Sequence, residues 1–132
     1  MWQGMVDEAA WLHQVNADPE ARLIGRYTET SFEIVSGKLA AAYRLEAGVL
    51  SPLYGKARAA MVFSAPAVAW AAFLAPVPFP PNQHFLGMER RRSDFSIAHG
   101  RPAYIRHLRV LTRVFELARA CAYPAALAPE VA

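Results

Sequence analysis

The sequence predicts an α+β fold: a single layer of about five antiparallel or mixed β-strands, with helices packed on one face and a long C-terminal helix. Three observations lead to this prediction. Apolar residues occupy every second position over much of residues 28–46, as in strands. They recur at helical spacing after residue 102. The length of 132 residues fits one compact domain, so residues 1–132 are treated as a single unit.

Two short helices are expected within residues 1–26. The segment "VDEAAWLHQVN" has apolar residues at helical spacing and acidic residues in its first turn, where the helix dipole favours them. In "NADPEARLIGRY", Asp18 is placed as an N-cap, Pro19 as the first helical residue and Gly25 near the end.

A β-hairpin is expected next, because the period changes to two. In "TETSFEIVSG", Thr30, Phe32 and Ile34 alternate with polar residues, and Ser36-Gly37 is predicted to be the turn. The return strand "KLAAAYRLEAG" continues the alternation with an inward set of Leu39, Ala41, Tyr43 and Leu45. The segment "VLSPLYG" then predicts a short edge strand that Pro52 limits.

The segment "KARAAMVFS" predicts a more central strand, because Met61 and Phe63 lie on one face and Val62 on the other. A short helix, "PAVAWAAFLA", should follow and bury Trp70 and Phe73-Leu74.

The connector "APVPFPPNQHF" carries four prolines, each of which fixes φ and removes a backbone N–H donor. We therefore expect a stiff connection between two short helices, beside the mouth of a pocket. Val77 and Phe79 are expected to pack inward.

Asn82 is predicted to cap the second short helix, "QHFLGMERRR", and "SDFSIAHG" is predicted to form the last strand, with Phe95 and Ile97 inward. The longest helix should run from Pro102 to Ala122. Its apolar stripe is expected to comprise Ile105, Leu108, Leu111, Phe115 and Ala118, widened on one flank by His107, Val110, Val114 and Leu117. Residues 123–132 are expected to form a loosely ordered tail.

Composition excludes several classes of protein. Residues 59–88 contain no Asp, Glu, Lys or Arg, but prolines interrupt this stretch too often for a membrane-spanning helix, so no transmembrane segment is expected. The basic run Arg90-Arg91-Arg92 stands alone and is typical of a solvated helix end, so nucleic acid is not an expected partner. The 12 Arg against 2 Lys, together with abundant Ala, are typical of a GC-rich bacterial genome.

The single cysteine, Cys121, excludes an intrachain disulfide and agrees with a cytoplasmic location. The four histidines are widely separated in sequence, and the glycines stand singly at turns. Neither pattern resembles a metal site or a phosphate-binding loop, so neither a metal nor a cofactor is expected.

Candidates for acid-base chemistry are few. Glu29, Glu33, Asp94 and Glu89 are available, but His84 is the most interesting because it lies between the prolines and Phe85-Leu86. Three roles remain open for His84: a general base, a hydrogen-bond partner for the polar end of a ligand, or a cap for a loop carbonyl. The hydroxyl group of Tyr43 is a further candidate contact for a ligand.

The order of these motifs resembles the sterol carrier protein type 2 family. Trp70 in "PAVAWAAFL" is similar to the tryptophan of that family, and "FSIAHGRPAYIRHLRVLTRVFELAR" is similar to its closing strand and helix. The resemblance extends from Thr28 to Ala120. The chain departs from the family at "APVPFPPNQHF" and at Arg101-Pro102, which leaves the ligand open.

The resemblance implies a tunnel between sheet and helices that holds a lipid, isoprenoid, sterol-like or aromatic molecule without catalytic residues. The side chains expected to line this tunnel, with His84 near its mouth, are Phe32, Tyr43, Met61, Phe63, Trp70, Phe73, Phe79, His84, Phe85 and Phe115.

Two alternatives stay open at this stage. One is a small cone-shaped α+β isomerase or dehydratase that uses His84, paired with Asp94 or Glu33, as its acid-base group. The other is a non-enzymatic subunit whose apolar face is covered by a second copy, as a homodimer, or by another protein. The sequence favours a non-catalytic protein over an enzyme.

Overall fold

The computed structural model describes residues 4–54 and 58–124. The helices are α1 (Glu8–Ala17), α2 (Pro19–Ile24), α3 (Ala67–Leu74), α4 (Phe85–Arg91), α5 (Arg101–Arg106) and α6 (Leu108–Ala118), followed by a 3-10 turn at Arg119–Cys121. The strands are β1 (Glu29–Ser36), β2 (Leu39–Glu46), β3 (Val49–Pro52), β4 (Met61–Ala65) and β5 (Ser96–His99). None of the helices in the described ranges is long and apolar enough to cross a bilayer.

The five strands form one mixed sheet in the order β3-β2-β1-β4-β5. Strand β1 pairs antiparallel with β2 and parallel with β4, while β5 returns antiparallel beside β4. The helices pack on one side of this sheet, which confirms the predicted α+β fold class.

The β1-β2 hairpin has the predicted faces. Phe32 lies opposite Tyr43, and both side chains are fully buried between the sheet and the helices. The turn, however, is at residues 37–38, because Ser36 still pairs with Leu39. Leu39 was expected to point inward, but its position next to the turn leaves it 54% exposed.

The first two helices are fixed to the rest of the chain by polar contacts. Asp18 caps α2 by accepting from the N–H of Ala21, and its carboxylate also binds the Arg113 guanidinium of α6 through two bonds of 2.9 Å. This pairing lowers the pKa of Asp18. The Asn16 side chain donates to the Leu50 carbonyl and accepts from its N–H, which completes the hydrogen bonding of edge strand β3.

The predicted long C-terminal helix is broken at His107. Helix α5 packs on β4 and β5, whereas α6 packs on α1 and α2, so the chain changes direction between two packing surfaces. The predicted stripe assumed one uninterrupted helix, and Ile105 is consequently 51% exposed. The described part of the tail ends at Pro124, and Tyr123 donates its N–H to the Met5 carbonyl. The remainder of the predicted tail lies outside the described residues.

Helix α4 is capped by His84 rather than by Asn82. The ring Nδ1 of His84 accepts from the N–H of Leu86, whereas the N–H of Asn82 bonds to the Phe79 carbonyl in the preceding turn. A histidine replaces the expected asparagine because the helix begins later than predicted.

Gly100 provides a test of how closely β5, α5 and β4 approach. Its φ is +80°, and a Cβ there would overlap the Ala60 carbonyl oxygen, while at Gly37, with φ of +63°, a Cβ meets open space. We expect Gly37→Ala to lower the free energy of unfolding by about 1 kcal/mol through backbone strain alone. Gly100→Ala should lower the free energy of unfolding by at least about 2 kcal/mol more than Gly37→Ala does, because the backbone of Ala60 must move. Urea unfolding of both variants measures this, and equal losses would contradict the close approach.

Candidate functional site

The interior between sheet and helices is an aromatic cluster. Most of the residues expected to line a tunnel lie in it, each 3% exposed or less: Phe32, Tyr43, Met61, Phe63, Trp70, Phe73, Phe85 and Phe115. Trp11, Phe95 and Tyr104 belong to the same core, and none of the three had been predicted as a site residue.

Phe115 of α6 lies at the centre of this cluster. Its ring centroid is 4.7 Å from that of Phe85 on α4, 5.1 Å from Phe63 on β4 and 5.2 Å from Phe32 on β1. The edge-to-face and tilted arrangements are those that aromatic pairs prefer. The helices and the sheet therefore meet around one ring.

The polar groups of three buried aromatic side chains have partners. Trp11 Nε1–H donates to the Val114 carbonyl and Trp70 Nε1–H to the Val35 carbonyl, at 2.9 and 3.0 Å. The Tyr43 hydroxyl donates to Glu8 Oε2 at 2.6 Å, and burial raises the pKa of Tyr43. Tyr43 thus holds α1 to the sheet, which gives its hydroxyl a structural partner.

Tyr104 differs from these residues. Its side chain is fully buried next to Phe63 and Phe85, and among the described residues its hydroxyl has no hydrogen-bond partner. Burial raises the pKa of Tyr104 to about 12. Sequence reasoning missed this residue by assigning Ile105 to the inward stripe.

A narrow crevice reaches the cluster from the surface. Its lining residues come from the end of α3, the start of α4 and one side of α6: Phe73, Gln83, His84, Phe85, Thr112 and Glu116. The space between them is too narrow for a water molecule. Part of the aromatic cluster therefore lies just behind the surface at this point.

His84 closes the crevice on one side. Its Nδ1 accepts from the Leu86 N–H, so in the neutral ring the proton is on Nε2, which lies 3.1 Å from Thr112 Oγ1. Thr112 in turn donates to the Leu108 carbonyl at 2.7 Å. Burial lowers the pKa of His84, which favours this neutral form. Both ring nitrogens are thus engaged in holding α4 to α6.

Arg119 holds two residues of the crevice wall, Phe73 and Gln83. Its guanidinium donates to the Phe73 carbonyl at the end of α3 and to the Gln83 carbonyl before α4, each at 2.8 Å. The same group lies 4.4 Å from the centroid of the Phe73 ring. Arg119 therefore holds both ends of the connection between α3 and α4 and had not been predicted from sequence.

The middle of that connection does not line the site. Val77 and Phe79 were expected to pack inward but are 85% and 83% exposed. The prolines that flank them remove four N–H donors from Pro76–Pro81, so the segment cannot form a helix or strand that would direct alternate residues inward. Phe79 is thus separate from the other predicted residues.

Two of the residues suggested for acid-base chemistry, Asp94 and Glu89, are engaged in ion pairs. Asp94 accepts two bonds from Arg92, at 2.8 and 2.9 Å, and Glu89 pairs with Arg101. Within residues 4–54 and 58–124, no group of three or more His, Cys, Asp or Glu side chains is arranged to hold a metal ion.

Structural comparison identifies two similar folds. A crystal structure of sterol carrier protein 2 matches with a TM-score of 0.66 and 17% identity, covering 86% of this chain and 94% of that one. The solution structure of a conserved hypothetical protein from Thermus thermophilus, described as possibly a sterol carrier protein, matches with a TM-score of 0.56 and 17% identity, covering 92% and 93%. No family model and no curated protein matches the sequence. The chain has the sterol carrier protein 2 fold, as its motif order predicted.

The two buried tyrosines make a matched pair. We expect Tyr43→Phe to lower the free energy of unfolding by about 1.5–3 kcal/mol, because it removes a bond to a carboxylate and leaves Glu8 without that donor. Tyr104→Phe should be neutral or stabilise the protein by up to about 1 kcal/mol, because its hydroxyl is buried without compensation. Chemical denaturation of both variants measures the difference. A loss at Tyr104 equal to that at Tyr43 would show that its hydroxyl is bonded.

Proposed function

We propose that this chain, which has the fold of sterol carrier protein 2, binds and carries a hydrophobic small molecule and performs no catalysis. The guest would lie between the sheet and the helices, against the buried aromatic residues of the cluster, with His84 at the mouth. Lipids, isoprenoids, sterol-like molecules and aromatic compounds all have the required apolar surface. The matched protein is named as a sterol carrier, which supports a carrier role.

The observation that carries this proposal is the narrow crevice between α3, α4 and α6, which leads to the aromatic cluster. Phe73 and Phe85 form part of its wall, and behind them the rings of Phe63 and Phe115 continue the apolar surface. A guest that entered here would bury its surface against aromatic side chains, gaining about 25 cal/mol per Å² before ordering costs.

The guest must open the crevice before it enters. Phe73 and Phe85 stack at 5.3 Å, and Phe85 is 4.7 Å from Phe115, so the rings fill the space that a ligand would occupy. The ends of the connection between α3 and α4 are held by Arg119 and by the His84–Thr112 contact, and Arg92 donates to Asn82 within it. Breaking the contacts of Arg119 and His84 would leave apolar packing, including that of Phe85 against Phe115, to hold α4 to α6.

Tyr104 gives the guest one polar requirement. The Tyr104 hydroxyl group is buried without a hydrogen-bond partner in the described structure. Such a group costs about as much free energy as a lost hydrogen bond. A guest with a carbonyl, ether or hydroxyl oxygen placed beside Phe63 and Phe85 would accept that bond. We therefore favour a hydrophobic ligand with one hydrogen-bond acceptor over a pure hydrocarbon.

The direct test of carriage is native mass spectrometry of the purified protein. We expect an added mass that organic extraction removes, and the extract should contain a molecule with few polar atoms. Repeated preparations that are empty and that bind no apolar dye would contradict the proposal.

The opening step is tested with Arg119→Met, which keeps an apolar side chain and removes the guanidinium. We expect the association rate of a neutral apolar probe such as N-phenyl-1-naphthylamine to rise at least about fivefold, the effect of about 1 kcal/mol, because one restraint on both ends of the connection is lost. Stopped-flow fluorescence measures this rate.

The matched control is Arg109→Met, since Arg109 is an exposed arginine on α6 and no contact of its side chain with the connection is seen in the described structure. Its association rate should equal that of the unmodified protein. An equal increase in both variants would attribute the effect to lost charge rather than to the lost hydrogen bonds of Arg119.

A further inference from the structure

The connection between α3 and α4 exposes two apolar side chains at its tip. Val77 and Phe79 are 85% and 83% exposed and alternate with prolines over Pro76–Pro81, a segment called here the proline tip. Single exposed apolar residues are ordinary on protein surfaces. Two large ones on a stiff segment form a small apolar projection that the aromatic core does not use.

The backbone of the proline tip is poor in hydrogen-bond donors. Four of its six residues are prolines, so only Val77 and Phe79 have an N–H. The Phe79 carbonyl already accepts from the N–H of Asn82 at 2.8 Å. Moving a backbone into an apolar medium is costly chiefly because its polar groups lose water, and this segment has four N–H groups fewer to lose than six non-proline residues would have.

Two arginines lie beside the proline tip. Arg90 and Arg91 at the end of α4 are exposed, and they line one groove of about 620 Å³ together with Pro80 and Pro81. Helix α4 is tightly placed there, because a Cβ at Gly87 would meet the Pro81 carbonyl oxygen at 2.7 Å. The geometry therefore keeps the two charges next to the apolar tip.

The charge of these arginines is not cancelled locally. Residues 59–88 contain no Asp or Glu, and the nearby Glu89 and Asp94 are paired with Arg101 and Arg92. Within the described part of the chain, neither Arg90 nor Arg91 has an ion-pair partner. The surface thus combines an apolar projection with a net positive rim.

We propose that the proline tip and Arg90-Arg91 form a docking surface for an anionic lipid bilayer. Val77 and Phe79 insert into the interface between headgroups and acyl chains, and the two guanidinium groups bind lipid phosphates. Insertion of isolated side chains suits a bilayer. A stable protein interface needs about 800 Å² per partner, which two side chains and a short segment do not supply.

Vesicle co-sedimentation of the full chain tests this docking. The probes are vesicles of phosphatidylcholine alone and vesicles containing about one-third phosphatidylglycerol, whose surface potential attracts basic residues. We expect the protein to partition at least about tenfold better into the anionic vesicles at low salt, with the difference shrinking as salt is added. Equal partitioning into both vesicles, or none into either, would overturn the proposal.

Two double variants locate the surface. Val77→Ser with Phe79→Ser, and Arg90→Gln with Arg91→Gln, should each reduce partitioning into anionic vesicles at least about fivefold. The matched controls are Leu39→Ser, an exposed apolar residue on the hairpin, and Arg22→Gln with Arg26→Gln, exposed arginines at α2. The controls should stay within about twofold of the unmodified protein. All these sites are exposed, so unfolding curves should coincide.

Other outcomes identify other partners and overturn the proposal. If the control variants lose as much binding to anionic vesicles, the attraction depends on the net charge of the protein and not on this surface. A different outcome is that the protein binds no vesicles but self-associates with rising concentration. If the Val77→Ser, Phe79→Ser variant abolishes that self-association, the proline tip is a contact between copies of the chain. No apolar probe is present in these measurements, so their result is independent of whether the core admits a guest.

Discussion

The aromatic rings packed around Phe115 join the helices to the sheet. The chain has 132 residues, of which many are alanines that add helix propensity but little volume, so a few large side chains must fill the interior. Phe115 contacts rings from α1, β1, β4, α3 and α4. Helix α6 therefore contacts the sheet and the other helices through one ring. The ion pair of Arg113 with Asp18 also holds α6 to the start of α2.

The same packing defines how a guest would enter. A core filled by contacting rings is closed, so binding requires that part of its wall move as a unit. The wall formed by α3, its connection and α4 is suited to this movement, because Arg119 and His84 attach it to α6 through a small number of polar contacts. The sheet is held by continuous backbone pairing instead. Guest entry and the exposed proline tip thus involve the same segment of the chain.

The parts of the fold that could be predicted from sequence are those that local patterns determine. The period of two fixed the faces of Phe32 and Tyr43, and the Asp18-Pro19 pair fixed the start of α2. The parallel pairing of β1 with β4 and the break at His107 depend on contacts between distant residues, which no local pattern contains. Phe79 was predicted to be buried because it is apolar. Apolar character indicates burial only where a helix or strand directs the side chain toward the core. Arg119 and Tyr104 were missed because their roles arise from tertiary geometry.

We propose that an apolar guest enters by moving the α3-α4 wall away from α6. Hydrogen exchange monitored by mass spectrometry, with and without a saturating apolar probe, tests it most directly. We expect changed protection in residues 73–92, which include the His84-bonded amide of Leu86, and unchanged protection in the β1-β2 hairpin. Binding accompanied by changes in the hairpin, or by no change in residues 73–92, would contradict this route of entry.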